Sequence, residues 1–336
     1  NHETHESPRN KQNQILSVKQ LICAKKKADG THPSTGMVIA QTATVMKYVK
    51  HRYNFLIVLL LWVANAGGQT VPADLPSPLT LPLRAGSTRL LVFGDSGRGS
   101  KEQYELSRMM FTYHRAFPFD TALMTGDNIY GGDSAADMKK KFEDAYRPLL
   151  DAGVKFYASL GNHDDIDQRA YPLFNMNGST FYRIEKNGVS MYALDSNRLD
   201  AAQLEWLKTN LAADKNNWRI AFFHHPPYSS SETHGSESTA RRLLEPIFLA
   251  GGIDVVFNGH DHVYERIKPQ KGIQYFVTGA GGRIRNGDVQ RSELTAAAFD
   301  TDLSFMLVEI TGDELYLQVI SRDGRTVDSG VVKRRD

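Results

Sequence analysis

Polar residues suited to metal binding and acid–base chemistry are concentrated in five short clusters, each directly after a predicted strand. The clusters are 94–97 (GDSG), 126–130 (GDNIY), 161–164 (GNHD), 224–226 (HHP) and 259–262 (GHDH). In open α/β sheets, binding sites form at the carboxyl ends of strands, so loops that are distant in sequence can meet there. We therefore expect the five clusters to build one pocket.

The positions of the histidines favour a metal site in this pocket. Seven of the 11 histidines lie downstream of residue 66, and five of those seven fall inside the clusters. An extended segment would project His260 and His262 to one side, where they could be ligands of adjacent metals. A single His-x-His pair is more often a surface or capping pair, but the nearby Gly-Asp and Gly-Asn-His turns favour the metal interpretation. His234 lies outside every cluster and could at most lie at the edge of the pocket.

The acidic clusters allow both a structural and a functional interpretation. Asp95 could cap the helix that follows it, but Gly94 and Gly97 would also let the backbone approach a metal closely. Tyr130 could merely anchor its loop, and its spacing from Asp127 is what favours a role as a ligand. Carboxylate, phenolate and imidazole suit a hard trivalent ion, whereas an asparagine oxygen with two imidazoles suits a divalent one. Two metals about 3.5–4 Å apart, bridged by a carboxylate, can clamp a phosphoryl oxygen during in-line hydrolysis.

Together the five clusters resemble those of the calcineurin-like metallophosphoesterases. Residues 127–130 (DNIY) narrow the resemblance to the purple acid phosphatases, and the size is similar to the small tartrate-resistant type. The resemblance implies a ferric ion and a divalent iron, zinc or manganese ion, bridged by Asp127. The segment 259–266 (GHDHVYER) is more similar to plant-type enzymes, which leaves substrate preference open. The remaining ligands that the resemblance implies are Asp95, Tyr130 and His262 for the ferric ion, and Asn162, His224 and His260 for the divalent ion.

Two further histidines are candidates for contacts with substrate. The family pattern His-x-Pro selects His224 as the ligand, so His225 either points toward substrate or has a structural role. His163 follows Asn162 and cannot easily share its metal, because neighbouring side chains diverge on an extended turn. We predict that His163 is catalytic, either stabilising charge on the phosphoryl oxygens or protonating the leaving alkoxide. The alternative is that it only orients Asn162 or a carboxylate.

The function implied by the resemblance is hydrolysis of small phosphate monoesters by attack of a metal-bound hydroxide, as in an acid phosphatase. A phosphodiesterase acting on nucleotides or phospholipid headgroups is the alternative within the same class of enzyme. A non-catalytic surface-binding protein with the same fold is a third alternative. A degenerate site of that kind should have lost ligands, and none is missing here.

An α/β fold is expected to position these clusters, because apolar runs typical of strands alternate with amphipathic stretches typical of helices. The resemblance implies a four-layer α/β/β/α sandwich of two mixed β-sheets with flanking helices and the site at one edge. Helices are predicted at 101–117, 135–146, 201–213 and 238–249. Strands are predicted at 90–93, 121–124, 155–158, 180–184, 190–194, 219–223, 255–257, 274–278, 304–310 and 315–320.

The first 88 residues are predicted to precede the domain. Residues 1–45 are interpreted as untranslated or non-native sequence, with synthesis starting at Met37 or Met46. Residues 46–66 fit an export signal, with a basic leader, ten apolar residues at 55–64 and a small-x-small site ending at Ala66. Those ten residues fall short of the roughly 20 needed to span a membrane, so a cleaved signal is favoured over an anchor. Residues 67–88 are predicted to be a tether, and 89–336 a single metallophosphoesterase domain.

Charge and cysteine content limit the partners of the mature chain. Nine of the 40 Lys and Arg but only three of the 38 Asp and Glu lie in residues 1–66, which leaves 31 basic and 35 acidic residues downstream. This remainder has no cationic stripe, which argues against nucleic acid as a partner. Cys23 is the only cysteine and lies upstream of the cleavage site, so no disulfide is expected. We expect a periplasmic, secreted or lumenal protein without a stable membrane span, acting on small phosphorylated substrates.

Overall fold

The computed structural model describes residues 75–335. The predicted upstream segment (1–45), the predicted signal peptide (46–66) and the start of the predicted tether (67–74) lie outside the described residues. Within residues 75–335, no helix is both long enough and apolar enough to cross a membrane.

The strands form two mixed β-sheets. In chain order the strands are β1 (Thr88–Phe93), β2 (Thr121–Met124), β3 (Lys155–Ala158), β4 (Tyr182–Lys186), β5 (Val189–Ala193), β6 (Trp218–Phe222), β7 (Val255–Asn258), β8 (Tyr264–Ile267), β9 (Gln274–Thr278), β10 (Thr295–Phe299), β11 (Ser304–Thr311), β12 (Glu314–Ser321) and β13 (Thr326–Lys333). The six-stranded sheet has the order β13-β12-β11-β1-β2-β3, and the seven-stranded sheet has the order β10-β8-β9-β7-β6-β5-β4. Strands β1 to β3 are parallel to one another, as are β5, β6, β7 and β9.

Helices cover the two sheets. They are α1 (Lys101–His114), α2 (Ala135–Met138), α3 (Arg147–Asp151), α4 (Ala201–Ala213) and α5 (Ser238–Gly251). The Ser100 side chain caps α1 by accepting a hydrogen bond from the backbone of Gln103. The prediction of one helix over 135–146 is wrong, because the α-helix ends at Met138 and a π-helix, Lys139–Glu143, replaces its continuation.

Alternating side chains along the strands build four layers. In β1, Leu90 and Val92 lie in the core between the two sheets, whereas Leu91 and Phe93 pack in a second core with α1. A third core lies between the seven-stranded sheet and helices α4 and α5. The predicted four-layer α/β/β/α fold is confirmed.

The described part of the predicted tether packs against the domain. Leu75, Leu79 and Leu81 contact the core between the six-stranded sheet and α1. The buried carboxylate of Glu309 in β11 accepts a hydrogen bond from the backbone of Leu83 at 2.7 Å. These residues differ from a free tether because their leucines supply apolar surface that the core buries.

Backbone hydrogen bonds bring together the loops that follow the strands. The amide of Asp95 donates to the carbonyl of Gly126 at 2.9 Å, which joins the loops after β1 and β2. The amide of Gly94 donates to the carbonyl of Thr278 at 2.9 Å, which joins the six-stranded sheet to the end of β9 in the other sheet. The carboxyl ends of the parallel strands of both sheets therefore meet at one edge, where the five polar clusters lie.

Candidate metal centre

Four side chains from the loops after β1, β2 and β7 form one compact group of donor atoms, the tyrosine group: Asp95, Asp127, Tyr130 and His262. The Tyr130 hydroxyl lies 3.2 Å from Asp95 Oδ1 and 2.9 Å from Asp127 Oδ2. It also lies 3.1 Å from His262 Nε2. The Tyr130 hydroxyl has one proton and can donate it to only one of the two carboxylates. A cation among the four donors would interact with both carboxylates.

A second set of donor atoms, the histidine group, consists of Asp127, Asn162, His224 and His260. His224 Nδ1 lies 3.0 Å from the carbonyl oxygen of Thr125, so in a neutral ring Nδ1 carries the proton and Nε2 presents a lone pair. This lone pair faces Asn162 Oδ1 at 3.0 Å and Asp127 Oδ1 at 3.5 Å. His260 Nδ1 completes the group at 3.1 Å from His224 Nε2. Lone pairs that face one another in this way fit a cation between them.

The two groups share Asp127. Its Oδ2 belongs to the tyrosine group and its Oδ1 to the histidine group. The backbone amide of His163 donates to Oδ1 at 2.9 Å, which helps to fix the carboxylate between the groups. Two sets of side chains with donor atoms within 4.8 Å of one another could each hold a metal ion: Asp95, Asp127 and His262, and His224, His225 and His260.

The backbone conformation of the loops allows the donor side chains of the two groups to lie this close together. Asp95, Asp127 and His260 have φ values of 56°, 49° and 72°, in a region that non-glycine residues rarely occupy and that is found more often at functional sites. A Cβ atom at Gly161 would collide with the Asp127 side chain, and one at Gly259 would collide with the Asp95 side chain. The two glycines are therefore needed for the close approach of the loops.

The segment from His260 to His262 differs from its sequence-based expectation. We expected an extended segment whose alternation projects both rings to one side. His260 instead has φ 72°, so the chain turns there. The two imidazoles still lie in the same pocket, His260 in the histidine group and His262 in the tyrosine group.

The electrostatics of both groups favour a bound cation. Burial, and then repulsion from Asp127, raises the pKa of the Asp95 carboxyl well above its ordinary value. Burial, and then repulsion from His224, lowers the pKa of His260 to about 2, and burial lowers the pKa of His262 to about 3. Both imidazoles are therefore neutral near pH 7 and offer lone pairs, while a cation would compensate the buried carboxylates.

A carboxylate that the sequence analysis did not single out holds two of the loops together. Asp164 accepts hydrogen bonds from the backbone amides of Asn128 at 2.8 Å, Ile129 at 3.1 Å and Gly161 at 2.8 Å. It thereby ties the loop that carries Asp127 and Tyr130 to the loop that carries Asn162. The position of Asp164 in the GNHD cluster was its only sequence signal.

A lysine of the π-helix holds the loop of Tyr130. Lys141 Nζ donates to the carbonyl oxygens of Tyr130 at 2.7 Å and Gly132 at 3.1 Å. It also pairs with Asp137 at 2.6 Å and is only 11% exposed. Single-turn π-helices are frequent at functional sites, and here the altered turn carries the lysine that binds the loop.

The remaining histidines line the same site. His163 is exposed, its ring centroid lies 5.1 Å from that of Tyr130, and within residues 75–335 neither ring nitrogen forms a hydrogen bond. His225 Nδ1 lies 2.9 Å from the Ser196 hydroxyl, and its ring centroid lies 4.5 Å from that of His260.

His234 is closer to the centre than the sequence analysis expected. Its ring stacks on that of His260, with centroids 4.2 Å apart. Its loop follows the 224–226 cluster after a polar stretch, so no spacing in the sequence joins His234 to the other histidines. The one available signal in the sequence was the glycine that follows His234, because glycine favours turns. In the structure Gly235 has φ 74° and turns the chain there.

Comparison with known proteins agrees with this fold. Residues 88–264 match the family model described as Calcineurin-like phosphoesterase, which is more than half of the chain. The chain belongs to this family. The match begins with β1 and ends with the first residue of β8, so it includes all five polar clusters.

Relatives of this calcineurin-like phosphoesterase include purple acid phosphatases. It is 28% identical to purple acid phosphatase 17 of Arabidopsis thaliana over 241 residues, covering 61% of this chain and 71% of the relative. It is 24% identical to tartrate-resistant acid phosphatase type 5 of Rattus norvegicus over 327 residues, covering 82% and 98%. The resemblance inferred from the motifs is therefore confirmed.

Solved structures share the fold of this family member. A purple acid phosphatase from yellow lupin seeds superposes with a TM-score of 0.63 at 18% identity, covering 74% of this chain and 54% of that chain. GAP50, the anchor in the inner membrane complex of Plasmodium, has the same TM-score at 16% identity, covering 74% and 90%. At these identities the likeness concerns the fold alone.

Proposed function

We propose that this calcineurin-like phosphoesterase hydrolyses phosphate monoesters, as an acid phosphatase, at a two-metal site. The observation that carries the proposal is the position of Asp127, whose two carboxylate oxygens belong to two different groups of four donors. The donors fit two cations, because in each group oxygen and nitrogen lone pairs face one another. Too few protons are present to form a hydrogen bond between every such pair of atoms. The purple acid phosphatase relatives support the same assignment.

The two groups would hold different metals. The tyrosine group, with two carboxylates and a phenolate, suits a ferric ion, whereas the histidine group suits divalent iron, zinc or manganese. When bound, two such cations lower the pKa of water and stabilise charge on the phosphoryl oxygens. The residues that would bind them are Asp95, Tyr130 and His262 at one metal, Asn162, His224 and His260 at the other, and Asp127 at both.

The other residues of the site would position the donors and act on substrate. Asp164 and Lys141 hold the loops of Tyr130 and Asn162 through backbone groups. His163 has no hydrogen bond on its ring among the described residues and is exposed, so its imidazole is available to a phosphate ester. His225 lies beside His260 and could contact the same substrate. Export remains a prediction from the sequence, since residues 46–66 lie outside the described part of the chain.

Rates on a monoester and a diester test the proposed function. We expect kcat/KM for p-nitrophenyl phosphate to exceed that for bis(p-nitrophenyl) phosphate by at least about tenfold, a difference of about 1.4 kcal/mol in the barrier. The monoester presents one more free anionic oxygen to the two cations than the diester does. Faster turnover of the diester would favour a phosphodiesterase. Absence of turnover on both, with two metals bound, would favour a non-catalytic binding protein.

Replacing Tyr130 with phenylalanine tests the ferric assignment. A phenolate bound to a ferric ion should give a visible absorption band by charge transfer, and we expect Y130F to lose it while retaining the fold. Tyr316→Phe is the matched control, because the Tyr316 hydroxyl bonds to Glu314 and contacts none of the donors. Visible spectra should be read beside the iron content of each protein. A colourless wild-type protein with full iron occupancy would contradict the assignment.

A further inference from the structure

A serine and a histidine from two neighbouring loops contact each other beside the histidine group. Ser196 lies in the loop after β5, and His225 lies in the loop after β6. The backbone amide of His225 donates to the Ser196 hydroxyl at 3.0 Å, and the same hydroxyl lies 2.9 Å from His225 Nδ1. The serine side chain therefore fixes both the backbone and the ring of the histidine.

The loop that carries Ser196 is itself held from two sides. Gln203, a buried residue of α4, accepts a hydrogen bond from the backbone amide of Asp195 at 2.7 Å and donates to its carbonyl oxygen at 3.0 Å. On the other side of Ser196, the side-chain amide of Asn197 donates to the carbonyl oxygen of Gly161 at 3.2 Å. Gly161 directly precedes the asparagine of the histidine group, so this contact joins the two loops. Ser196 thus projects from a backbone that is fixed on both sides of it.

The hydrogen bonds of Ser196 indicate which nitrogen of His225 carries a proton. Within residues 75–335 the hydroxyl has no acceptor other than His225 Nδ1, because its second contact is with a backbone N–H. When the hydroxyl donates its one proton to Nδ1, the proton of a neutral ring is on Nε2. Nε2 has no hydrogen-bond partner in the same part of the chain, and it is not among the fully buried atoms that lack one. The ring therefore has a free N–H donor that a ligand can reach.

His225 packs against two members of the histidine group. Its ring centroid lies 4.9 Å from that of His224 and 4.5 Å from that of His260. One nitrogen from each of the three rings lies within 4.8 Å of the other two. This placement suits either a third imidazole ligand for a cation or a donor to an anion bound there. A ligand needs a free lone pair, and neither nitrogen of His225 has one when Ser196 donates to Nδ1.

We propose that Ser196 is a positioning residue that holds His225 as a hydrogen-bond donor to a phosphoryl oxygen of the bound ester. The proposal rests on the proposed function, because that oxygen must be held at the histidine group. The donor is Nε2–H, and a hydrogen bond to a charged oxygen is roughly twice as strong as one between neutral groups. Without the Ser196 hydroxyl, the ring proton can occupy either nitrogen, and the ring loses the contact that orients it.

The affinities for substrate and product test this pair. In Ser196→Ala we expect KM for p-nitrophenyl phosphate and the inhibition constant of orthophosphate to rise about 3–10-fold, because a hydrogen bond to a charged oxygen is weakened. We expect kcat to change by less than about twofold, since the contact is made in the ground state as well as in the transition state. Ser196→Thr keeps the hydroxyl and should restore both constants. Ser329→Ala is the matched control and should change neither, because Ser329 is exposed in β13 and its side chain forms no hydrogen bond within residues 75–335.

A double variant shows whether Ser196 acts through the imidazole. His225→Phe keeps an aromatic ring and removes both nitrogens. We expect it to raise the inhibition constant of orthophosphate about tenfold while metal content stays unchanged. Adding Ser196→Ala to His225→Phe should then cause no further loss, because residues that act as a unit are not additive. An equal loss from Ser196→Ala in both backgrounds would overturn the positioning role. Loss of bound metal in His225→Phe would overturn the donor role in favour of a metal ligand.

Nuclear magnetic resonance tests the tautomer without any turnover. In metal-free protein with isotope-labelled histidine, long-range proton–nitrogen spectra should show the proton of His225 on Nε2, and Ser196→Ala should give a mixture of tautomers. A proton on Nδ1 of the wild type would overturn the inference. Normal turnover with unchanged constants in both Ser196→Ala and His225→Phe would also overturn it and leave the proposed function standing. A metal-loaded wild type that hydrolyses no ester, yet binds orthophosphate more tightly than both variants do, would overturn the proposed function and support the pair.

Discussion

Replacing Asp127 with alanine should abolish hydrolysis and prevent the binding of two metal ions together. Asp127 is the one side chain that contributes an oxygen to both the tyrosine group and the histidine group. If two ions bind as proposed, its loss would remove a ligand from each of them, together with the carboxylate that would link them. We expect a fall in kcat of more than about 10³-fold, because removal of a single preorganised electrostatic group already costs about 10²–10³-fold. Metal analysis and turnover of p-nitrophenyl phosphate measure the two effects on one sample.

Two controls make the Asp127 result specific. Asp151→Ala removes a carboxylate that is 66% exposed at the end of α3, and it should leave metal content and rate unchanged. Thermal unfolding of D127A without metal should show a folded protein, because removing Asp127 also removes the repulsion that helps to raise the pKa of Asp95. If D127A retained two tightly bound metals and a near-normal rate, Asp127 would not be the bridge.

Most strands could be predicted because they are continuous apolar runs, but β8, β10 and β13 were missed. In β8, Glu265 is fully buried, and its charge conceals the strand in the sequence. The folded chain satisfies that carboxylate with the backbone of Ser230 and the hydroxyl of Thr295. β13 pairs only with β12 at the edge of its sheet and alternates exposed and half-buried residues, so it has no apolar run.

The break in the predicted helix over 135–146 also depends on tertiary contacts. Lysines at 139–141 are good helix formers, so local propensity favours a continuous α-helix. The π-helix places Lys141 against the carbonyls of Tyr130 and Gly132, and this contact involves a loop that local propensity does not describe.

The donors of the candidate site could be predicted because each follows a strand of recognisable sequence. Their assembly depends on the topology, which brings the carboxyl ends of β1 to β3 and of β6 and β7 to one edge. His234 reaches that edge from a longer loop whose path is set by packing. The sequence therefore predicted the donors at strand ends and missed the residue that approaches from the side.

Replacing His163 with alanine should slow hydrolysis of esters with poor leaving groups far more than hydrolysis of p-nitrophenyl phosphate. The His163 backbone amide binds Asp127 Oδ1, while its exposed ring is free of hydrogen bonds within residues 75–335. Alanine keeps the backbone contact and removes only the imidazole. We expect a loss of about 10²–10⁴-fold on an alkyl or sugar phosphate, which is the usual contribution of general acid catalysis. Steady-state kinetics on both substrates, with metal content determined for each preparation, measure the difference.

The leaving group decides between the possible roles of His163. An alkoxide must be protonated as it departs, whereas nitrophenolate departs without a proton, so only an acid distinguishes the two esters. An imidazole that binds phosphoryl oxygens would instead slow both reactions equally, with metal content unchanged. An imidazole that only orients Asn162 would reduce metal affinity, by about 10–100-fold for a group of this kind.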